Sequence, residues 1–164
     1  MQPMPTGKGE RRSTWGIRLG LETFESELDS CKVSLFREDP LSKFRENIRA
    51  SKTLHERNLA TIIDLQQRTA VHFAYLASAW SLIFDSLSSG AVLPLRSNVG
   101  ENYAICSNSP GRRYWVASKT VDFQGRVLCW VMPVDVSPGV VRDASLNVLN
   151  ALDLNTIYNA TLPA

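Results

Sequence analysis

The chain is predicted to be an α+β protein: a long N-terminal helix or helical hairpin, then a small antiparallel β-meander, then a C-terminal helix. Three observations predict this. No glycine or proline interrupts residues 41–89, so nothing in the backbone prevents a long helical tract. After Gly90 the apolar pattern changes from a helical to an alternating period. The two kinds of element also fall in successive blocks, which favours α+β over an alternating α/β fold. The expected organisation is a flexible basic tail over residues 1–13 and one domain over 14–164. Within it the helical part spans about 23–89, the β part about 91–135 and the last helix about 138–152.

Residues 1–13 hold two prolines, two glycines and three basic residues, with no apolar period, so they bury too little to order themselves. Trp15, Ile17, Leu19 and Leu21 then alternate with Gly16, Arg18 and Gly20, a strand pattern. Over residues 23–36, Phe24, Leu28, Cys31 and Leu35 keep helical spacing while Cys31, Val33 and Leu35 also alternate; the helical reading is preferred. Asp39-Pro40 is a helix start: the carboxylate can cap, and proline at the first position loses no hydrogen bond. Leu41, Phe44 and Ile48 follow at helical spacing. The helix is read either as unbroken from Pro40 to Ser88, about 73 Å long, or as broken near 51–53. There the apolar stripe loses phase, and Thr53 with Glu56 resembles a capping box. Gly90 suits a left-handed cap.

Residues 91–95 and 102–106 read as short strands and 107–111 as a turn. The strongest strands, 113–123 and 126–134, are joined at Gln124-Gly125 as a hairpin. Trp115, Val121 and Phe123 share one face. Residues 127–132 are apolar on both faces, as in a strand covered on both sides, and Pro133 marks its end. Ser137-Pro138 opens the last predicted helix, with Val141, Ala144, Val148 and Leu152 on one face. The stretch from Asn155 is read as loosely ordered.

Composition excludes several function classes. Eighteen basic and sixteen acidic residues give a net charge of +2, too balanced to imply a polyanion partner by itself. Cys31, Cys106 and Cys129 cannot all pair, and no CxxC occurs; buried reduced thiols in a cytoplasmic protein are expected. A Cys106–Cys129 bridge is the alternative for an oxidising compartment. No apolar segment follows the basic N-terminus, so no secretory signal is read, and the Asn159-Ala160-Thr161 sequon is taken as a chance match. No membrane span is expected: the 15 residues from Ala70 to Phe84 carry no charge, but they cover about 22 Å against roughly 30 Å of hydrocarbon.

The helical tract at 53–88 carries the functional signal. Leu59, Ile63, Gln66, Ala70, Phe73, Ala77, Trp80, Phe84 and Leu87 recur at steps of four and three, the stripe of a helix packed along another helix. Small residues Ala70, Ala74, Ala77, Ser78 and Ser81 would let a partner approach closely. The last predicted helix is too short to cover the stripe. The expectation is a non-enzymatic interaction protein, with a homo-oligomer or a partner protein meeting this helix, its charged start partly solvated and its apolar end surrounded by protein.

Chemistry finds little support. His55 and His72 are about 100° apart around one continuous helix, so a rod would keep them separate; His72 is read as a histidine hydrogen-bonded at a buried interface. Asp85 is expected to face solvent or bond locally, with no second carboxylate at one-face spacing. The serines at 86–89 lack a nucleophile-elbow frame, Cys106 lacks a neighbouring base, and no phosphate-binding glycine loop is present. No catalytic residue, cofactor or metal is assigned. One alternative is nucleic-acid binding through Lys8, Arg11 and Arg12 on the tail, Arg45, Arg49 and Lys52 on one helix face opposite Phe44 and Ile48, and Arg112 and Arg113 before the hairpin aromatics. Against it, Glu38, Asp39, Glu46 and Glu56 dilute the helix cluster. A small-ligand sensor, with a pocket between hairpin and helices, is the other alternative.

Overall fold

The computed structural model of the chain describes residues 15–21, 33–88, 103–106, 113–135, 137, 139, 141–146 and 148–164. The tail at 1–13, residues 23–32, Gly90, the strand read at 91–95 and the turn at 107–111 lie outside them. The elements are β1 (Trp15–Leu21), β2 (Val33–Phe36), α1 (Pro40–Ala60), α2 (Leu65–Ser88), β3 (Tyr103–Cys106), β4 (Arg113–Ser118), β5 (Val121–Phe123), β6 (Arg126–Cys129), β7 (Val131–Asp135), β8 (Val141–Leu146), a 3-10 turn (Val148–Asn150), β9 (Leu152–Asp153) and α3 (Leu154–Ala160). The class is α+β, as predicted, with a helical hairpin and a terminal helix; two strands, β1 and β2, precede the hairpin, and most strand pairs are antiparallel.

α1 begins as its sequence dictates. Asp39 is extended, its Oδ1 accepts from the Leu41 N–H at 3.0 Å, and Pro40 fills the first turn. It does not stop at 51–53, and Thr53 is an exposed residue within the helix. The break comes later, where β-branched Thr61, Ile62 and Ile63 run together and Asp64 caps a new helix. Asp64 Oδ1 accepts from the Gln66 and Gln67 N–H groups at 2.8 and 3.1 Å. Arg68 holds the bend, its Nε and Nη2 donating to the Ile62 carbonyl at 3.1 and 2.5 Å. Neither the continuous rod nor the early break is correct. The chain makes an antiparallel hairpin, seen in the pairing of Phe44 with Trp80, Ser51 with Tyr75 and His55 with His72.

Three small sheets form, ordered β3-β1-β8, β2-β4-β7 and β5-β6-β9, the first two drawing β1 and β2 from before the hairpin. The predicted hairpin forms, and both turn residues, Gln124 (φ 51°) and Gly125 (φ 72°), are left-handed, as a two-residue hairpin turn needs. Its arms are bent by a bulge. Ala117 faces Val131 and Val121 faces Leu128, so residues 118–120 oppose only 129 and 130. Trp130 N–H donates to Ser118 Oγ and Ser118 N–H to the Trp130 carbonyl, both at 2.9 Å. The Ser118 carbonyl is taken from outside the sheet by Trp80 Nε1 of α2 at 2.8 Å. Cys129 lies here as a buried thiol.

Three sequence expectations are corrected. Residues 33–36 are strand, not helix: β2 pairs antiparallel with β4, and Ser34, Leu35 and Phe36 are buried in that pairing. The helix expected at 138–152 is absent. Residues 141–146 instead form β8, parallel to β1 from Gly16↔Val141 to Leu21↔Leu146. The open edge of β1 satisfies the backbone of this segment, which overrides a helical spacing of apolar residues. The stretch from Asn155 is ordered as α3: Asp153 Oδ1 accepts from the Asn155 N–H at 2.9 Å, and Leu154 and Tyr158 are buried.

The main core lies between the helical hairpin and the strands. Phe36, Phe44, Ile48, Leu76, Trp80, Phe84, Val127, Cys129, Leu154 and Tyr158 form one cluster, and Val121, Trp130 and Leu146 form another. The arm from Val127 to Trp130 therefore contributes to both, which explains its uninterrupted apolar sequence.

Candidate functional site

Two surfaces of the helical hairpin stand out, one polar and enclosed, the other apolar and open. The polar one lies where α1, α2 and α3 meet. Because the chain turns back at 61–64, His55 Nε2 and His72 Nδ1 come within 2.9 Å, against the expectation that a single helix keeps them apart. His72 Nε2 reaches Asn155 Oδ1 at 2.7 Å. That oxygen only accepts, so His72 Nε2 donates; with both rings neutral, His72 Nδ1 then accepts from His55 Nε2. One directed chain of hydrogen bonds thus crosses all three helices.

Aromatic rings enclose this chain. His55 stacks on Tyr75 with centroids 3.6 Å apart and planes inclined by 10°, and Tyr158 meets His72 edge-on at 4.7 Å. Tyr75 and Ser51 share a hydroxyl hydrogen bond of 2.5 Å. Burial, then the neighbouring His72, lowers the His55 pKa below the ordinary 6.5, while Glu56 acts in the opposite direction. Tyr158 is pushed well above its ordinary range, by burial first and by its bond to Glu56 second. It therefore remains a hydroxyl donor, and it donates to Glu56 Oε2 at 2.9 Å.

Lys52 completes the junction. Its buried Nζ donates to the carbonyls of Tyr158 and Thr161 at 2.9 and 2.7 Å and lies 4.4 Å from the Tyr158 ring centroid. A cation on the last carbonyls of a helix is favourable. The Ala164 N–H extends the contact by donating to the Arg49 carbonyl at 3.1 Å. Among the described residues, no group of three or more His, Cys, Asp or Glu side chains converges as a metal site would require. The arrangement is chemically a clasp: each strong donor named here has an acceptor, and the bonds join the C-terminal segment to the hairpin.

The apolar surface is α2 itself. Of the predicted stripe, Leu59 is half-buried at the end of α1, Ile63 is 96% exposed in the bend, and Gln66 and Ala70 are exposed. Phe73, Ala77 and Leu87 are half-buried and Trp80 and Phe84 buried, all packed in the chain's own core. The surrounding protein for that half of the stripe is this chain. The opposite side of α2 bears Ala70, Val71, Ala74, Ser78 and Leu82, all exposed. α2 is long and apolar enough to cross a membrane by length and composition, yet only 22% of its most apolar stretch is buried. Beside Leu82 an open groove of about 590 Å³ runs between the start of α1 and the end of α2, lined by Glu38, Lys43, Asn47, Leu82, Ile83, Ser86 and Leu87.

Among the described residues, the predicted basic cluster does not form one face. Arg45 and Arg49 are exposed. Lys52 turns inward beside Ile48 rather than opposite it, and Arg113 is engaged by Asp135, Nε to Oδ1 at 2.9 Å and Nη2 to Oδ2 at 3.1 Å. Lys8, Arg11, Arg12 and Arg112 lie outside the described residues. Asp85 is exposed and pairs with Lys119 at 3.1 Å.

Sequence reasoning missed Lys52, Tyr75, Asn155 and Tyr158 as partners. One signal could have found the histidine pair. Asp64-Leu65-Gln66-Gln67 has the form of a helix start, and a fold-back there places position 55 near position 72. No family model, no curated protein sequence and no solved structure matches this chain.

Proposed function

We propose that this is a non-enzymatic interaction protein that associates with a second copy of itself through the outward face of α2. The observation carrying this reading is the exposure of Ala70, Val71, Ala74, Ser78 and Leu82 on a helix with no charged residue from Ala70 to Phe84. Water is a poor neighbour for such a face, and its small residues permit close approach of another helix. The adjoining groove, walled by Leu82, Ile83 and Leu87, offers a recess for a large side chain of the second copy. A protein partner suits the face better than lipid, because the other side of α2 is already packed on this chain's core and Asp85 is ion-paired near its end.

Sedimentation velocity over a range of concentrations tests the proposal. The wild-type chain is expected to associate, and Ala74→Arg together with Leu82→Glu to be monomeric with an unchanged circular dichroism spectrum. Both sites are exposed, so neither substitution disturbs the core. A wild-type monomer at several hundred micromolar would overturn the reading.

A further inference from the structure

We propose that the His55–His72 pair is an acid-operated latch that holds α3 and the residues after it against the helical hairpin at neutral pH and releases them when the pair is protonated. This inference is independent of self-association.

The chain through His55 Nε2, His72 Nδ1 and Asn155 Oδ1, at 2.9 and 2.7 Å, needs a single proton between the two facing ring nitrogens. A first proton can sit on His55 Nδ1. A second must go to His72 Nδ1, where two N–H groups would then face each other across 2.9 Å. The pair accepts one charge with strain on its surroundings and two only by coming apart, so its two protonation steps belong to the pair rather than to either ring.

The surroundings are poorly suited to added cations. From α1 the neighbours are Lys52, whose Nζ donates to the Tyr158 and Thr161 carbonyls, and Glu56, whose Oε2 accepts from Tyr158. From α2 the neighbour is Tyr75, stacked on His55. From α3 they are Asn155 and Tyr158, with Asp153 committed to the Asn155 N–H. The lowered affinity of His55 for a proton, set first by burial, agrees with this enclosure. What the latch holds is a short helix. α3 has seven residues and cannot persist alone in water. Its docking rests on Leu154 and Tyr158 in the core and on the bonds from Lys52, Glu56 and His72. Protonation leaves His72 Nε2–H a donor, so what acts on the docking is repulsion between the rings, which drives His72 out of its seat against Asn155 and Tyr158 of α3, and release uncovers the buried Lys52 of α1.

Amide hydrogen exchange on the full chain, as protection factors corrected for intrinsic rates, tests this between pH 7.5 and pH 5.0. Protection over residues 154–161 is expected to fall at least tenfold more than protection over residues 40–48. In His55→Phe, which keeps a ring on Tyr75 but takes no proton, that excess loss should vanish. Imidazole resonances in the wild-type protein provide a measurement that needs no variant, and should show two coupled steps moving with the amides of 154–161. Three results would overturn the latch: equal loss over both segments, the same excess loss in a folded His55→Phe, or two independent histidine titrations that leave 154–161 unmoved.

Discussion

Trp80 joins helix to sheet through one bond. Its indole fills the space against Phe44, ring centroids 5.7 Å apart, and its Nε1–H is given to the Ser118 carbonyl that the bulge turns out of the ladder. Trp80→Phe keeps most of the ring and removes the donor, leaving a buried carbonyl unsatisfied. We expect a loss of about 1–3 kcal/mol, read as a lower urea midpoint with an unchanged slope; a negligible shift would show that water reaches that carbonyl. His55 gives a prediction of the opposite kind, set by pH. Its folded-state pKa lies below its unfolded value, so the unfolded chain binds the extra proton. The stability from keeping the ring neutral is complete above about pH 6.5 and declines as pH falls below it. Urea midpoints should drop between pH 7.5 and 5.5, and the drop should shrink in His55→Phe. At this scale the sequence told which large side chains are buried, because Phe44, Ile48, Trp80 and Phe84 sit at helical spacing. It did not tell that Lys52 is buried, since a lysine between exposed arginines has the pattern of a solvated face until a helix terminus is found above it.

The hairpin of α1 and α2 owes its form to four residues. Thr61, Ile62 and Ile63 weaken the helix through restricted side-chain rotation, and Asp64 then stabilises a new start. Asp64→Ala removes the acceptor of the Gln66 and Gln67 N–H groups and is expected to cost about 1 kcal/mol. In a domain of this size that is roughly 2–4 °C in melting temperature, while Asp64→Asn should stay close to wild type. An equal loss in both variants would mean that the carboxylate charge, not the cap, sets the bend. The β-hairpin was legible because its turn is local: Gln124-Gly125 must adopt left-handed backbone, and the alternation on either side fixes the arms. β8 was not legible for the converse reason. Its partner β1 lies more than a hundred residues away in sequence, and spacing within a segment says nothing about a distant open edge.

At the scale of the whole molecule, α2 divides its surface between two uses. One side, with Leu76, Trp80, Ile83 and Phe84, closes the core over the strands; the other carries Ala74, Ser78 and Leu82 outward. If the outward side binds a second copy, folding and association are linked, and the wild-type melting temperature should rise with protein concentration. Ala74→Arg with Leu82→Glu should remove that dependence in calorimetry, and a concentration-independent wild-type value would count against assembly. The sequence alone determined the α+β class, the start of α1 at Asp39-Pro40, the β-hairpin at Gln124-Gly125 and the unusual apolarity of α2, because caps, turns and periodicity act over a few residues. Tertiary structure alone decided which side of α2 is covered, that residues 141–146 are strand, and that His55, His72, Lys52, Asn155 and Tyr158 meet. Each of those depends on where a remote segment supplies a hydrogen-bond edge, an apolar surface or a helix end, and such pairings are set by the packing of the whole chain.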